Sequence, residues 1–216
     1  MNYYSKRQRV VQLCSGRRVL HIGCVGFVGL ETSERVALAK KSLHQALTNC
    51  AQTTGVDYSQ DAIDYCRDHG IFNNVIYGNA ESLHELGLHP EYDVIVAGDI
   101  IEHLSNPGRM MDGIRALCHP GTRVIITTPH AFGLLTFLHH LAYRFVEGPE
   151  HVFTMNRQNV EHLAVRHGFH VVELATCYQE AATNTRMFRL GRAFFDRFPH
   201  LGGTLFAVLS PANPRT

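Results

Sequence analysis

Apolar positions along this chain follow two rhythms in turn. Five short, nearly continuous apolar runs stand out: Arg17–Ile22, Thr53–Asp57, Asn74–Tyr77, Tyr92–Gly98 and Gly121–Thr128. Runs of this length read as strands covered on both faces. Between them the apolar residues recur at helical spacing. Val36, Ala39, Leu43, Ala46 and Leu47 follow Thr32 or Ser33, either of which suits an N-cap. Ala62, Ile63 and Cys66 follow Ser59 and stop at Gly70, placed as a C-terminal cap should be. Met110, Met111, Ile114 and Leu117 follow Asn106-Pro107, with proline in the first turn. The strand–helix alternation predicts a parallel sheet with helices on both faces.

Past Thr128 the rhythm changes. Ala131–Phe145 is a largely apolar segment, too short to span a bilayer and too apolar for a solvated loop. It is expected to fold as a helix, either over a ligand crevice or completing the core or a dimer contact. Thr154–His167 reads as a helix capped by Thr154 and stopped by Gly168. Two more strands follow, Phe169–Ala175 and Thr204–Leu209, joined by a long connection rich in arginine and phenylalanine. With no internal repeat, low-complexity tract or linker, residues 1–216 are expected to form one α/β domain. Its two embellishments are an acceptor-side insertion at about 131–150 and a connection at about 177–203.

Composition narrows the class. The chain has 216 residues, 45% of them hydrophobic, and a net charge of +1, so it can bury a substantial core and its bulk charge predicts no nucleic-acid partner. Six cysteines stand singly without a C-x-x-C pair, which excludes a zinc framework or compact disulfide scaffold and suits reduced thiols in a cytoplasmic protein. The polar N-terminus lacks the apolar run of a signal peptide, and no transmembrane segment is predicted.

The chemistry collects at strand ends. His21-Ile-Gly-Cys-Val-Gly26 follows the first strand, Gly55-Val-Asp57 ends the second, Gly78-Asn-Ala80 follows the third, and Asp99-Ile-Ile-Glu-His103 follows the fourth. Backbone approaches a ligand closely only where side chains are absent, so glycines at a strand exit mark a binding crevice. A carboxylate ending the next strand suits a pair of sugar hydroxyls. The turn lacks G-x-G-x-x-G spacing because Val25 holds the second glycine position, which argues against a nicotinamide enzyme.

In this order the features resemble a class I S-adenosylmethionine-dependent methyltransferase of the small bacterial, small-molecule type, from Arg17 to Leu209. The resemblance implies a doubly wound, mostly parallel sheet of seven strands whose last strand runs antiparallel, inserted beside the sixth. It assigns His21, Gly23, Cys24 and Gly26 to the methionine part of the cofactor, and Asp57, with Tyr58 beside it, to the ribose. Asn79, Ala80 and Glu81 are assigned to the adenine border, and Asp99 to the donor end. The family usually has an acid where His21 stands and glycines where Val25 and Phe27 stand. Those departures raise a second expectation, a non-catalytic relative serving as a binding partner.

Transfer to a hydroxyl also needs a proton acceptor, and histidine side chains in general titrate near neutrality. The candidates are His103, then His151, then His130. The expected acceptor is a small or carrier-linked molecule methylated on oxygen, a sugar or glycoconjugate by family analogy. Asp99, Glu102, His103 and His151 also resemble the divalent-metal site of O-methyltransferases that act on quinone precursors and RNA ends; a metal-free site is the favoured expectation. Arg186, Arg189 and Arg192, interleaved with phenylalanines, suit a solvated loop anchored by those rings, or else a phosphorylated or lipid-linked acceptor or a membrane surface.

Overall fold

The computed structural model describes residues 3–26, 38–144, 148, 150–178 and 186–212, with backbone alone for 3, 4 and 186–190. Eight strands form one sheet: β1 (Tyr3–Ser5), β2 (Arg18–Ile22), β3 (Gln52–Asp57), β4 (Val75–Tyr77), β5 (Val94–Gly98), β6 (Arg123–Pro129), β7 (Phe169–Tyr178) and β8 (Thr204–Pro211). Their order is β1-β7-β8-β6-β5-β2-β3-β4. β8 alone runs antiparallel to its neighbours β6 and β7; the other pairings are parallel. Seven strands thus take the expected order. The eighth, β1, is an addition at the β7 edge that the polar N-terminal residues did not signal.

Side chains alternate across the sheet with period two. Leu20 and Ile22, Ile95 and Ala97, and Val124 and Ile126 face one way. They meet the inner stripe of α4 (Pro107–Ala116), with Met110, Met111 and Ile114, and Val160 and Ala164 of α6 (Arg157–Arg166). Val19, Val94, Val96, Ile125 and Phe206 face the other way, against Val10 and Cys14 of α1 (Lys6–Cys14) and Leu47 of α2 (Leu43–Thr48). A third cluster lies under α3 (Gln60–Asp68), where Ala62, Ile63 and Cys66 pack on Cys24, Val25 and Val75. All six cysteines are free.

Element ends depart from expectation where a nearer cap competes. Helix α6 starts two residues late because Asn156, not Thr154, accepts from the Asn159 amide at 3.0 Å, while the Asn159 side chain returns the bond to Asn156. Before α2 a helical turn at 38–40 breaks at Lys41 and Ser42, and the Ser42 hydroxyl starts a new helix by accepting from Gln45. Thr32 and Ser33 lie outside the described residues. Ser59 occupies the N-cap of α3 without a side-chain cap bond.

Two further helices occupy the segments that follow β6. Leu134–Leu141 forms α5 and Arg186–Arg197 forms α7. Among the described residues, no helix is long and apolar enough to cross a membrane.

Candidate cofactor and acceptor site

Sheet order reverses between β2 and β5, where one chain path winds toward β4 and the other toward β8. Diverging connections leave a crevice at the carboxyl ends of such strands. Here a cavity of about 510 Å³ opens there, bordered by Gly23 and Gly26 after β2, Asp57 at the end of β3, Asn79 and Ala80 after β4, and Asp99 and His103 after β5. Tyr58, 65% exposed, adds its ring to the wall.

Gly23 has φ +70°, and a Cβ there would come within 2.7 Å of the Ile100 side chain, so the turn requires glycine on both counts. The turn then curls over the end of β3. The Val25 amide donates to Asp57 Oδ2 at 2.7 Å, and the Ser59 amide donates to Oδ1 at 3.0 Å. Burial lifts the Asp57 carboxyl above the ordinary range, while the backbone amides of Val25, Ser59, Tyr58 and Cys24 pull it back down. Val25, where the family has glycine, keeps its side chain 3% exposed among Cys24, Ile63 and Cys66 while its amide serves Asp57. The substitution is accommodated locally.

Just past the end of β5, Asp99 takes φ +51°, uncommon for a residue with a side chain. Its Oδ1 accepts from the Thr127 hydroxyl at 2.8 Å. Its Oδ2 is ion-paired with the Lys6 ammonium, which arrives from the first turn of α1. The next turn, Ile101–His103, sends Glu102 inward and His103 outward. Glu102 is 1% exposed; its carboxyl accepts from the Thr128 hydroxyl at 3.1 Å, and burial raises its pKa to about 7. Its carbonyl accepts from the Val152 amide at 2.8 Å, which brings His151 beside His103, with ring centroids 4.8 Å apart and nearly perpendicular. Glu102, His103 and His151 each offer a ligand atom within 4.8 Å of the others, a group that could hold a metal ion. Asp99, the fourth residue expected in that set, is instead engaged by Lys6 and Thr127.

Five sequence candidates for cofactor binding or catalysis lie outside the cavity wall, His151 among them, placed beside His103. Cys24 is buried in the cluster under α3, and burial pushes its thiol pKa well up. Glu81 accepts from the Asn106 amide at 3.0 Å, and so serves the start of α4. His130 is 6% exposed; its Nδ1 contacts the Gly202 carbonyl at 3.0 Å and so must donate to it, leaving the ring fixed to a loop.

His21 is 3% exposed and belongs to a buried relay. The Asn74 amide donates to the Thr53 carbonyl at 2.7 Å, which turns its oxygen toward His44 Nε2 at 3.2 Å. His44 Nε2 therefore carries the proton and its Nδ1 accepts from His21 Nδ1 at 3.3 Å. Burial, reinforced by His44 and Lys6, lowers the His21 pKa to about 3, so both rings stay neutral. A Cβ at Gly55 would lie 2.8 Å from the His44 ring, which is why β3 carries glycine there. Sequence reasoning missed this relay and Lys6: both join residues remote in the chain, and no local pattern marks them.

Of the lid expected at 131–150, α5 is present, but its Leu135, Thr136, His139 and His140 line a second hollow rather than the crevice.

Comparison with known proteins agrees with this architecture. The model of a family described as "Methyltransferase domain" matches residues 6–174. The chain is 31% identical over 117 residues to the ubiquinone biosynthesis O-methyltransferase of Bordetella parapertussis, covering 53% of this chain and 43% of that protein. The alignment thus spans less than half the length of the curated relative. Among solved structures, a Haloferax volcanii methyltransferase in complex with the Trm112 activator superposes with a TM-score of 0.64 at 12% identity, over 97% of this chain and 89% of the other. Magnesium protoporphyrin IX methyltransferase from Synechocystis with bound SAH gives a TM-score of 0.59 at 13% identity, over 95% and 82%. At these identities the structural likeness concerns the fold.

Proposed function

We propose, because the chain belongs to the methyltransferase domain family, that the crevice holds S-adenosylmethionine and that the domain methylates a hydroxyl oxygen of a small or carrier-linked acceptor. One observation carries the reading: a glycine turn, the Asp57 carboxylate and an accessible histidine border the same cavity of about 510 Å³. The residues fit the cofactor's chemistry. Gly23 and Gly26 leave backbone bare beside an amino-acid tail, Asp57 faces a ribose diol, and Tyr58, Asn79 and Ala80 border a base. The bound sulfonium supplies an activated methyl carbon whose thioether leaving group needs no acid. The protein's task is alignment, which can contribute several powers of ten in rate. His103, on the wall where β5 ends, takes the acceptor's hydroxyl proton; general-base catalysis contributes roughly 10²–10⁴-fold. His151 packs edge-on against that ring and orients it. The name of the Bordetella relative supports oxygen as the methylated atom.

Calorimetry with S-adenosylmethionine tests the cofactor half. Saturable binding should weaken roughly 10- to 100-fold in Asp57→Asn, which loses a charged acceptor, and stay unchanged in His103→Ala. No heat at millimolar ligand refutes the reading and favours the non-catalytic alternative. Loss of turnover in His103→Ala, with binding intact, tests the acceptor half.

A second reading rests on the cluster of Glu102, His103 and His151. A divalent ion held there would polarise the acceptor hydroxyl directly. Activity that disappears with chelator and returns with Mg²⁺ or Mn²⁺ supports it; full activity in chelator excludes it.

A further inference from the structure

We propose that α5 and α7 together form a docking face for an anionic lipid bilayer. The inference goes beyond methyl transfer and does not depend on it.

Helix α5 contains four leucines, Phe137, and no acidic residue, lysine or arginine, yet none of its eight residues is buried. Leu135 is 61% exposed, Phe137 54%, Leu138 45% and Leu141 66%. By contrast, α4 sinks Met110, Met111 and Ile114 completely. The five apolar residues of α5 share one side of the helix, opposite Thr136, His139 and His140, and an amphipathic helix normally buries such a face in a core or at a lipid interface. The intended environment of α5 is therefore not water.

Charge decides which apolar environment fits. Across a hollow of about 340 Å³, walled by Leu135 and His139 on one side and Phe195 on the other, lies α7. Its sequence carries Arg186, Arg189, Arg192 and Arg197 against a single acid, Asp196. The Arg192 guanidinium sits 5.8 Å from the centroid of the Tyr178 ring, and that of Arg197 5.3 Å from Phe198. Both cations are thus held at the rim of the apolar surface, with Phe194 and Phe198 about 40% exposed beside them (40% and 39%). The chain's net charge is only +1, so this rim is a local concentration of positive charge. Leucine and phenylalanine that enter the acyl boundary while guanidiniums meet headgroup phosphates describe an interfacial contact. A two-fold contact between copies would instead set the same arginine rim against itself. The face also adjoins the site: α5 begins a few residues after His130, at the carboxyl end of β6.

Co-sedimentation of the full chain with vesicles tests the proposal. Vesicles of equal phosphatidylglycerol and phosphatidylcholine should pellet the protein, and phosphatidylcholine alone should not. Phe137→Glu with Leu138→Glu, both at exposed positions, should abolish pelleting while circular dichroism stays unchanged. Arg192→Ala and Arg197→Ala should each weaken it roughly fivefold. The proposal is overturned by no binding to the anionic vesicles, or by undiminished binding of the glutamate variant. It is also overturned if light scattering shows a dimer that this variant converts to monomer. None of these readouts involves the cofactor, so failure here leaves the methyl-transfer reading standing, and failure of cofactor binding leaves this one standing.

Discussion

At the scale of single residues, two buried ionisable groups set opposite pH responses. Glu102 has a folded pKa of about 7, above the ordinary carboxyl value, because burial disfavours its charge. The folded chain therefore binds the proton more tightly than the unfolded chain. Its stabilising contribution is complete below the unfolded pKa and is lost as pH rises through about 7. Glu102→Gln, which keeps an oxygen for the Thr128 hydroxyl, should flatten that fall. Urea midpoints should show it more stable than the parent at pH 8, on the order of 1–3 kcal/mol, and nearly equal at pH 5. His21 acts in the other direction. Its pKa is lowered to about 3, so stability is lost as pH falls from the ordinary imidazole value toward that point. That slope is common to both proteins and cancels in the comparison. Asp57, Gly23 and His103 could be placed at the crevice from the sequence because each lies at or just past the end of an apolar run and topology alone brings strand ends together. His21, Cys24, Glu81 and His130 were not separable from them in the sequence. Which way a side chain turns at a strand end depends on neighbours such as His44 and Gly202, supplied by distant elements.

At the scale of elements, apolar period and cap chemistry located most helices, and the misplacements have a common cause. A cap is chosen by competition among nearby polar residues, and Asn156 wins over Thr154 because Asn159 can return its bond. The N-terminal element was missed for another reason. β1 is three residues long and α1 shows only a weak apolar stripe, Val10 and Cys14, so their stability comes from docking on β7 and on the sheet face. That docking delivers Lys6 to Asp99, 93 residues away. Replacing Lys6 with methionine should cost about 1–2 kcal/mol, between the values for exposed and fully buried pairs, since the partners are 16% and 30% exposed. A double-mutant cycle with Asp99→Asn on the urea midpoint checks it: a coupling near zero would mean that the pair does not hold the N-terminal element to the site.

At the scale of the whole molecule, the sheet order puts the most buried strands in the middle. β2, β5, β6 and β8 are flanked on both sides, whereas β4 and β1 are edges of three residues each. Native-state amide exchange should accordingly be slowest in the first group and fastest in the second. Protection in β4 equal to that in β5 would show that the sheet opens only as a unit. The alternation of apolar runs and helical stripes determined the class of fold, the order of the first five strands' connections and the chain positions of the crevice. These are local properties, because an apolar run must be buried and a parallel connection has one hand. Tertiary structure alone decided which candidate side chains meet in the hollow, that Lys6 neutralises Asp99, and that α5 stands unburied beside a rim of arginines. Those outcomes depend on contacts between residues far apart in the chain, whose distances no periodicity encodes.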